Sequence, residues 1–420
     1  MILLKNGTFI DWQTLEFMQA DILVEEGVEG NLVFDPRPDH PVPGRVIDCT
    51  GKFITRSFAN GHHHVYSALS RGMKPPRKNP ENFSEILHYI WWNLDKALDL
   101  EMIRSSALVT AIACARNGVT FVIDHHASPF AVEGSLETIA GAFDEAGLGN
   151  LLSYEISDRD GVGIAMQGLS ETENYLARHQ GLVGLHASFT VGTETLRRAV
   201  DLAARSDSGI HIHVAEDLSD EAHCLEHHKI RVIQRLNEAG VLQFPKTILA
   251  HCLHLDKSER EITARSPAWI VQNAESNLNN RTGHFSSAGL GANIMFGTDG
   301  MHSDMLRSAK AAFFSGQEKD IIDYAGTYRR FRNVHHYLKR NGFKGDGENN
   351  LVILDYDAPT PFNSENFLGH FIFGIESRHI IHVISGGKLI IEDGHMLTLK
   401  EPEILAEAQT QAARLWAGMR

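Results

Sequence analysis

Residues 60–66 read NGHHHVY, three adjacent histidines in a chain that contains 24. Two more alternate in HIHVAE, at 211 and 213, with Glu216 three residues beyond the second. AHCLH supplies His251 and His254, and GTDG supplies Asp299. Neutral imidazole nitrogens with one carboxylate oxygen are the donors a zinc ion takes, and a catalytic site leaves one position open for water. The same donors accept iron or manganese, with zinc the expected ion for a redox-inert hydrolysis. One such divalent metal lowers the pKa of its water from about 15.7 toward 7, so hydroxide becomes available at neutral pH. Each motif alone is ordinary, since HxH on a strand is commonly structural and TDG is a common turn. The inference depends on whether the fold gathers them.

Eight strand-like apolar runs recur through the middle of the chain: FITRSFANGHHH, NGVTFVIDHHAS, GNLLSYEISD, GLVGLHASFTV, GIHIHVAED, KTILAHCLHL, AWIVQNAES and NIMFGTDG. Segments of helical periodicity separate most of them. Eight βα units over about 250 residues predict an α/β fold of the (β/α)8 TIM-barrel type, with functional residues at the C-terminal strand ends. No Gly-rich phosphate loop follows the first run, which argues against a doubly wound sheet. The histidine and aspartate motifs close strands 1, 5, 6 and 8. Alternation along strand 1 sends His62 and His64 to one side and His63 to the other. His213 then completes a three-histidine face, and Asp299 adds the oxygen. Glu216, just past its strand, reaches the bound water without being a ligand.

Both chain ends alternate short apolar runs with Asn-Gly and Glu-Gly turns, a hairpin pattern. They predict a small β-sandwich made of residues 1–52 and 346–400, around a barrel at 53–345 and before a helix at 401–420. The first crossover, residues 65–118, is long enough for a lid or an oligomer contact. Its Trp91-Trp92 pair sits in a helical pattern and reads as packing or interface. The net charge of −14 and the absence of a basic run exclude a nucleic-acid or anionic-membrane partner. Cys49, Cys114, Cys224 and Cys252 lie far apart, which fits a reducing cytoplasm better than a disulfide framework. No signal-peptide pattern and no run of 18 apolar residues is found.

FANGHHHVYSALSRGM, HIHVAE, LAHCLHL and FGTDGMHSDM resemble the amidohydrolase superfamily, in its branch of cytosine, guanine and triazine deaminases and chlorohydrolases. LSRGM, IDHHASP, SYEISDRDG, LHASFTV and NLNN look most like the aminohydrolases called SsnA. One departure is Arg56-Ser57, where that family usually has Pro-Gly. Carried over by position, the resemblance implies His62, His64, His213 and Asp299 as metal ligands, Glu216 as proton shuttle, and His251 as the group that polarises the substrate or contacts the attacking water. It implies that His211 and His254 are structural and that a homo-oligomer is common.

Many relatives bridge two metals with a carbamylated lysine on strand 4. No lysine occurs between Lys96 and Lys229, so that bridge is excluded. A carboxylate bridge from Glu155 is possible but poorly placed, on strand 3 rather than 4, and one metal is expected. The predicted reaction is aminohydrolysis of a small nitrogen heterocycle, with Glu216 protonating the ring nitrogen and ammonia departing. Dechlorination or cyclic-amide opening is the alternative on the same site, and a non-catalytic metal-binding subunit is the alternative of another class. Candidates for the substrate wall are His125, His126, Arg159, His186 and His302, and Asn277 is a candidate for ordering the rim.

Overall fold

The computed structural model describes residues 1–419 except 38, 39, 41, 42 and 321; Arg420, the end of the expected terminal helix, lies outside the described residues. Eight parallel strands follow the predicted runs: β1 (Phe58–His63), β2 (Val119–His126), β3 (Gly149–Tyr154), β4 (Val183–Ala187), β5 (Ile210–Val214), β6 (Ile248–His251), β7 (Trp269–Gln272) and β8 (Ile294–Phe296). They pair in chain order as β1-β2-β3 and β4-β5-β6-β7-β8. Both seams between these two sheets carry contacts. Leu182 N donates to Leu152 O at 2.9 Å, and Asp299 N donates to His62 O at 2.9 Å. The second seam places the end of β8 against the histidine run of β1.

Strand parity divides the apolar residues. Ala59, Phe121, Ile123, Leu151, Ile248, Trp269, Val271 and Met295 pack into one cluster with Val334, Tyr337 and Leu338. Their neighbours Phe58, Val122, Leu152, Ile212, Leu249 and Ile270 face the connecting helices in a larger cluster. Both faces of the strands are therefore buried, as parallel sheets require.

Residues from both chain ends join in one nine-stranded sheet, in which Phe53–Arg56 pairs with Leu351–Leu354 and with Ile2–Ile10. It has its own apolar cluster, including Leu4, Ile22, Ile54, Ile353 and Ile384. The expected barrel start at residue 53 is thus displaced: Phe53–Arg56 belongs to this sheet, and the chain changes sheets at Ser57. There Ser57 N donates to Asn350 O at 2.9 Å and Phe58 N donates to Gly118 O at 2.8 Å. The terminal helix Glu401–Gly418 docks through Arg414, 2.7 Å from both Asp99 and Glu101, and through Trp416 Nε1, which donates to Leu69 O.

A buried ion pair clamps the change of sheet. Arg56 Nη2 lies 3.0 Å from Asp346 Oδ2, which also receives a hydrogen bond from His335 Nδ1 at 2.8 Å. Burial alone would raise the Asp346 carboxyl; His335 and Arg56 outweigh it and hold it at about 2. A depressed carboxyl stabilises the fold above its ordinary pKa of about 4, and that contribution fades as pH falls through about 2. Asp346→Asn should cost about 3 kcal/mol at pH 7, by removing the buried charge that Arg56 and His335 both face and leaving Glu348 as the remaining carboxylate on Arg56. Urea melts at pH 7 and pH 3 check this, because the gap to the wild type must narrow at the lower pH.

Candidate active site

The parity that buries Phe121, Ile123 and Leu151 carries on past the apolar residues. Two steps further on β2 stands His125, and two and four steps further on β3 stand Ser153 and Glu155. On β5 the residues Ile210, Ile212 and Val214 face the helices, so His211 and His213 face the interior. His251 and Asp299, at the ends of β6 and β8, have left-handed backbone, with φ of 73° and 54°. Such conformations are rare away from glycine and concentrate where a side chain must be aimed. Gly297 permits the second seam, since a Cβ there would lie 2.8 Å from the Cβ of His62.

Hydrogen bonds fix which ring nitrogen each histidine presents. His64 Nδ1 donates to the His125 carbonyl at 2.6 Å, and His213 Nδ1 donates to the His186 carbonyl at 2.8 Å. This turns both Nε2 atoms toward one point, where they lie 3.1 Å apart. His62 Nδ1 meets His211 Nε2 at 2.9 Å, and His211 Nδ1 faces Ser153 Oγ at 3.4 Å. This relay orients His62 Nε2 toward the same point and gives His211 a positioning role. Outer partners of this kind set the tautomer of a ligating imidazole.

Asp299 Oδ1 lies 3.1 Å from His64 Nε2 and 3.8 Å from His62 Nε2. Ligand atoms of His62, His64 and Asp299 fall within 4.8 Å of one another, as do those of His62, His213 and His251. The Nε2 atoms of His62 and His251 are buried without a hydrogen-bond partner. Unpaired polar atoms that converge in a buried site, with a donor set of three imidazoles and one carboxylate, fit one divalent cation. Burial, with the neighbouring imidazoles, holds His62 and His213 well below the usual histidine range, so both are neutral. Burial opposes the charge on His64, but Asp299 raises it to about 9. Asp299 is held well below the carboxylate range because His64, His62 and His251 outweigh its burial.

Glu216 and His251 complete the site. Glu216 Oε2 is 3.4 Å from His251 Nε2, and Asp299 Oδ2 is 3.6 Å from it. Burial pushes Glu216 up to about 7, and the charge of Asp299 adds to that, against His251 and a hydrogen bond from Asn280. A carboxyl near 7 is matched to moving protons at neutral pH. Asn277, expected at the rim, accepts from His251 Nδ1 at 2.7 Å and so aims its Nε2 into the site. Asn277→Ala should lower kcat by about 10–100-fold with cation content and KM unchanged. Asn277→Asp, which keeps the acceptor, should recover most of the rate.

The remaining candidates separate. His63 turns away to Ser303 Oγ at 2.8 Å and Asp124. His126 bonds Ser128, and His254 bonds the Thr282 carbonyl. His302 pairs with the Glu275 carboxylate. Arg159 is held by Asp95 and Asp160 and lies 5.1 Å over the Trp92 ring. Arg159, His186 and Glu155 line the cavity next to the converging histidines, while His125 lies behind it. Trp91 and Trp92, read from the sequence as packing, also line this cavity with Tyr66 and Phe83. Glu155, read from the sequence as possible but poorly placed on strand 3, lies 3.5 Å from His125 and 3.7 Å from His186. It extends the inward parity of β3 by one step beyond the strand, and that parity was the signal available in the sequence. Nothing in the local sequence marked the tryptophans, because the long crossover brings them to the cavity from outside the strands.

Known structures share this architecture. An adenosine deaminase from Xanthomonas campestris, solved with bound zinc, superposes with a TM-score of 0.83 at 19% identity, over 99% of this chain and 98% of that one. Guanine deaminase from E. coli gives 0.78 at 18% identity, over 93% and 100%. Among curated proteins, a 5-methylthioadenosine/S-adenosylhomocysteine deaminase from Pelotomaculum thermopropionicum is 28% identical over 99% of this chain and 98% of its own length. A 5'-deoxyadenosine deaminase from Methanothermobacter thermautotrophicus is 26% identical, over 88% and 89%. The amidohydrolase family model matches residues 53–328, and the chain belongs to the amidohydrolase family.

Proposed function

We propose that the protein is a hydrolytic aminohydrolase that releases ammonia from a nitrogen heterocycle of the purine-nucleoside kind. The observation that carries this reading is Glu216, buried and pushed up to about 7, beside His251 and Asp299 at the converging histidines. A scaffold site has no use for such a carboxyl. His62, His64, His213 and Asp299 would hold one divalent cation, with zinc the best match to three nitrogens and one oxygen. A bound cation of this kind acidifies its water. Asp299 takes the water's proton. Glu216, as the acid, protonates the ring nitrogen during attack; the amino group then leaves as ammonia with the proton held by Asp299, and Glu216 takes back a proton from the new hydroxyl. His251, set by Asn277 and flanked by two carboxylates, presents its Nε2 to the developing oxygen. Trp91, Trp92 and Tyr66 give the cavity flat apolar faces suited to a planar ring.

The relatives named as deaminases of adenosine derivatives support this substrate class. The same reading takes the eight parallel strands as a closed (β/α)8 barrel from Ser57 to residue 345, 1–56 and 346–400 as its terminal β-sandwich, and Glu401–Gly418 as the closing helix. Four buried free cysteines support a reducing compartment, the cytoplasm; among the described residues no helix is long and apolar enough to cross a membrane. Exposed Phe314, Phe373 and Tyr324, whose rings touch one another, support a homo-oligomer. The SsnA-like motifs remain the finer assignment within the family. Ammonia release by zinc-loaded protein from a purine, pyrimidine and pterin panel tests the reading.

A further inference from the structure

Glu155 takes no part in the chemistry above, yet it lines the same cavity with its side chain only 3% exposed. Neither carboxylate oxygen makes a hydrogen bond among the described residues. His125 Nδ1 faces one oxygen at 3.5 Å and His186 Nε2 faces the other at 3.7 Å, both long for hydrogen bonds. Arg159, in the loop that follows, gives its Nε to Asp160 and its Nη2 to Asp95. A buried carboxylate left unpaired is costly, so one that lines a cavity points to a ligand.

The tautomer of His186 defines what that ligand brings. Its Nδ1 meets Thr190 Oγ1 at 2.6 Å, and that hydroxyl donates its one hydrogen to the Ala187 carbonyl at 3.2 Å. Nδ1 is therefore the donor of its pair. Burial, with the charge of Arg159, holds His186 well below the usual histidine range, so the ring is neutral. Its Nε2 is then a bare acceptor turned toward a carboxylate oxygen, which is another acceptor. Two acceptors that face each other at the wall of a cavity call for a hydrogen from outside. Arg159 presents the converse, since its Nη1 is a buried donor without a partner.

We propose that Glu155 determines specificity: with His186 Nε2 it accepts hydrogen bonds from a donor on the substrate ring, distinct from the amino group that leaves. Flat rings flank this place, with Trp92 and Phe189 centred 6.0 and 5.6 Å from the His186 ring. A donor held there belongs to the edge of the heterocycle and not to a sugar. The free Nη1 of Arg159 suits an acceptor on the same edge. A ring N–H next to a carbonyl offers that pattern, and so does a second amino group next to a bare ring nitrogen. Heterocycles without a second donor leave Glu155 and His186 unpaired. A site built to accept a substrate N–H rejects the analogue that lacks it far more strongly than one short of a methylene.

The proposal rests on the aminohydrolase reading, and matched substrate pairs separate the two. Ammonia release by full-length, zinc-loaded protein gives kcat/KM for each member of two pairs. The 2-amino derivative of adenosine against adenosine tests a second amino group, and guanosine against 1-methylguanosine tests a ring N–H. Wild type should favour the donor-bearing member of at least one pair by about 100-fold or more. In Glu155→Gln the amide itself gives a hydrogen to His186 Nε2, so that ratio should fall below about 10-fold with zinc content unchanged. Glu155→Leu, which removes the acceptor, should lower the ratio too, and it decides the matter if the Gln variant fails to fold. A wild type indifferent within both pairs, or variants that keep its ratio, overturns the role of Glu155 and leaves the aminohydrolase reading intact. Loss of zinc by the variants would make Glu155 a ligand and likewise overturn it. Zinc-loaded wild type that releases no ammonia from any of these compounds contradicts the reading and the proposal together.

Discussion

Glu216→Gln should stop ammonia release while the protein keeps its cation. The carboxyl is buried, carries a pKa of about 7, and sits 3.4 Å from His251 Nε2. Gln preserves the size and can still meet Asn280, but it has no acidic proton to give the ring nitrogen. Loss of a general acid–base group costs about 10²–10⁴-fold in rate, and because Glu216 is read as acting in both transfers, the upper end is expected. Glu216 does not belong to the set that aims lone pairs at the converging point, so zinc content should match the wild type. Steady-state ammonia assays and metal analysis on the same preparation check both halves. A variant with more than a tenth of wild-type activity would remove Glu216 from the mechanism.

The histidine triplet should divide just as sharply. His62→Ala and His64→Ala each remove an Nε2 donor held in place by a bonded Nδ1. Each should lose the bound cation after dialysis and fall to background activity. His63→Ala should retain the cation and most of its turnover, because its ring nitrogens go to Ser303 and Asp124 on the other side of β1. Its penalty is one buried hydrogen bond, about 1 kcal/mol of stability. Three adjacent residues of the same type therefore give two opposite outcomes. Retention of the cation by His62→Ala and His64→Ala together would contradict the site.

Much of this was legible in the sequence because strands report their side-chain directions. A period of two selects His62 over His63, and continued from the apolar residues of β2 and β3 it also selects His125 and Glu155. The order of the motifs along the chain placed them on strands 1, 5, 6 and 8. What parity does not reach is whatever enters from loops. Trp91 and Trp92 come from the long first crossover, whose path depends on packing against the helix Leu100–Arg116 and the terminal helix. Arg159 looked free in the sequence because Asp95, its closest partner, lies 64 residues away. The sheet change at Ser57 was hidden because Phe53–Arg56 and Phe58–His63 follow each other closely enough to read as one strand, and the pairing of Phe53–Arg56 with Leu351–Leu354 exposes it. Asn277 acts through His251, a contact between neighbouring strand ends that no local pattern encodes.

The central claim is that this site removes an amino group by hydrolysis. The most direct measurement follows ammonia, chloride and substrate together, with zinc-loaded protein, amino-purine nucleosides and a chlorinated triazine. The account predicts one ammonia for each nucleoside consumed and none from the Glu216→Gln protein. Chloride release without ammonia, or no turnover of any aminated heterocycle by protein carrying its full zinc, would contradict it.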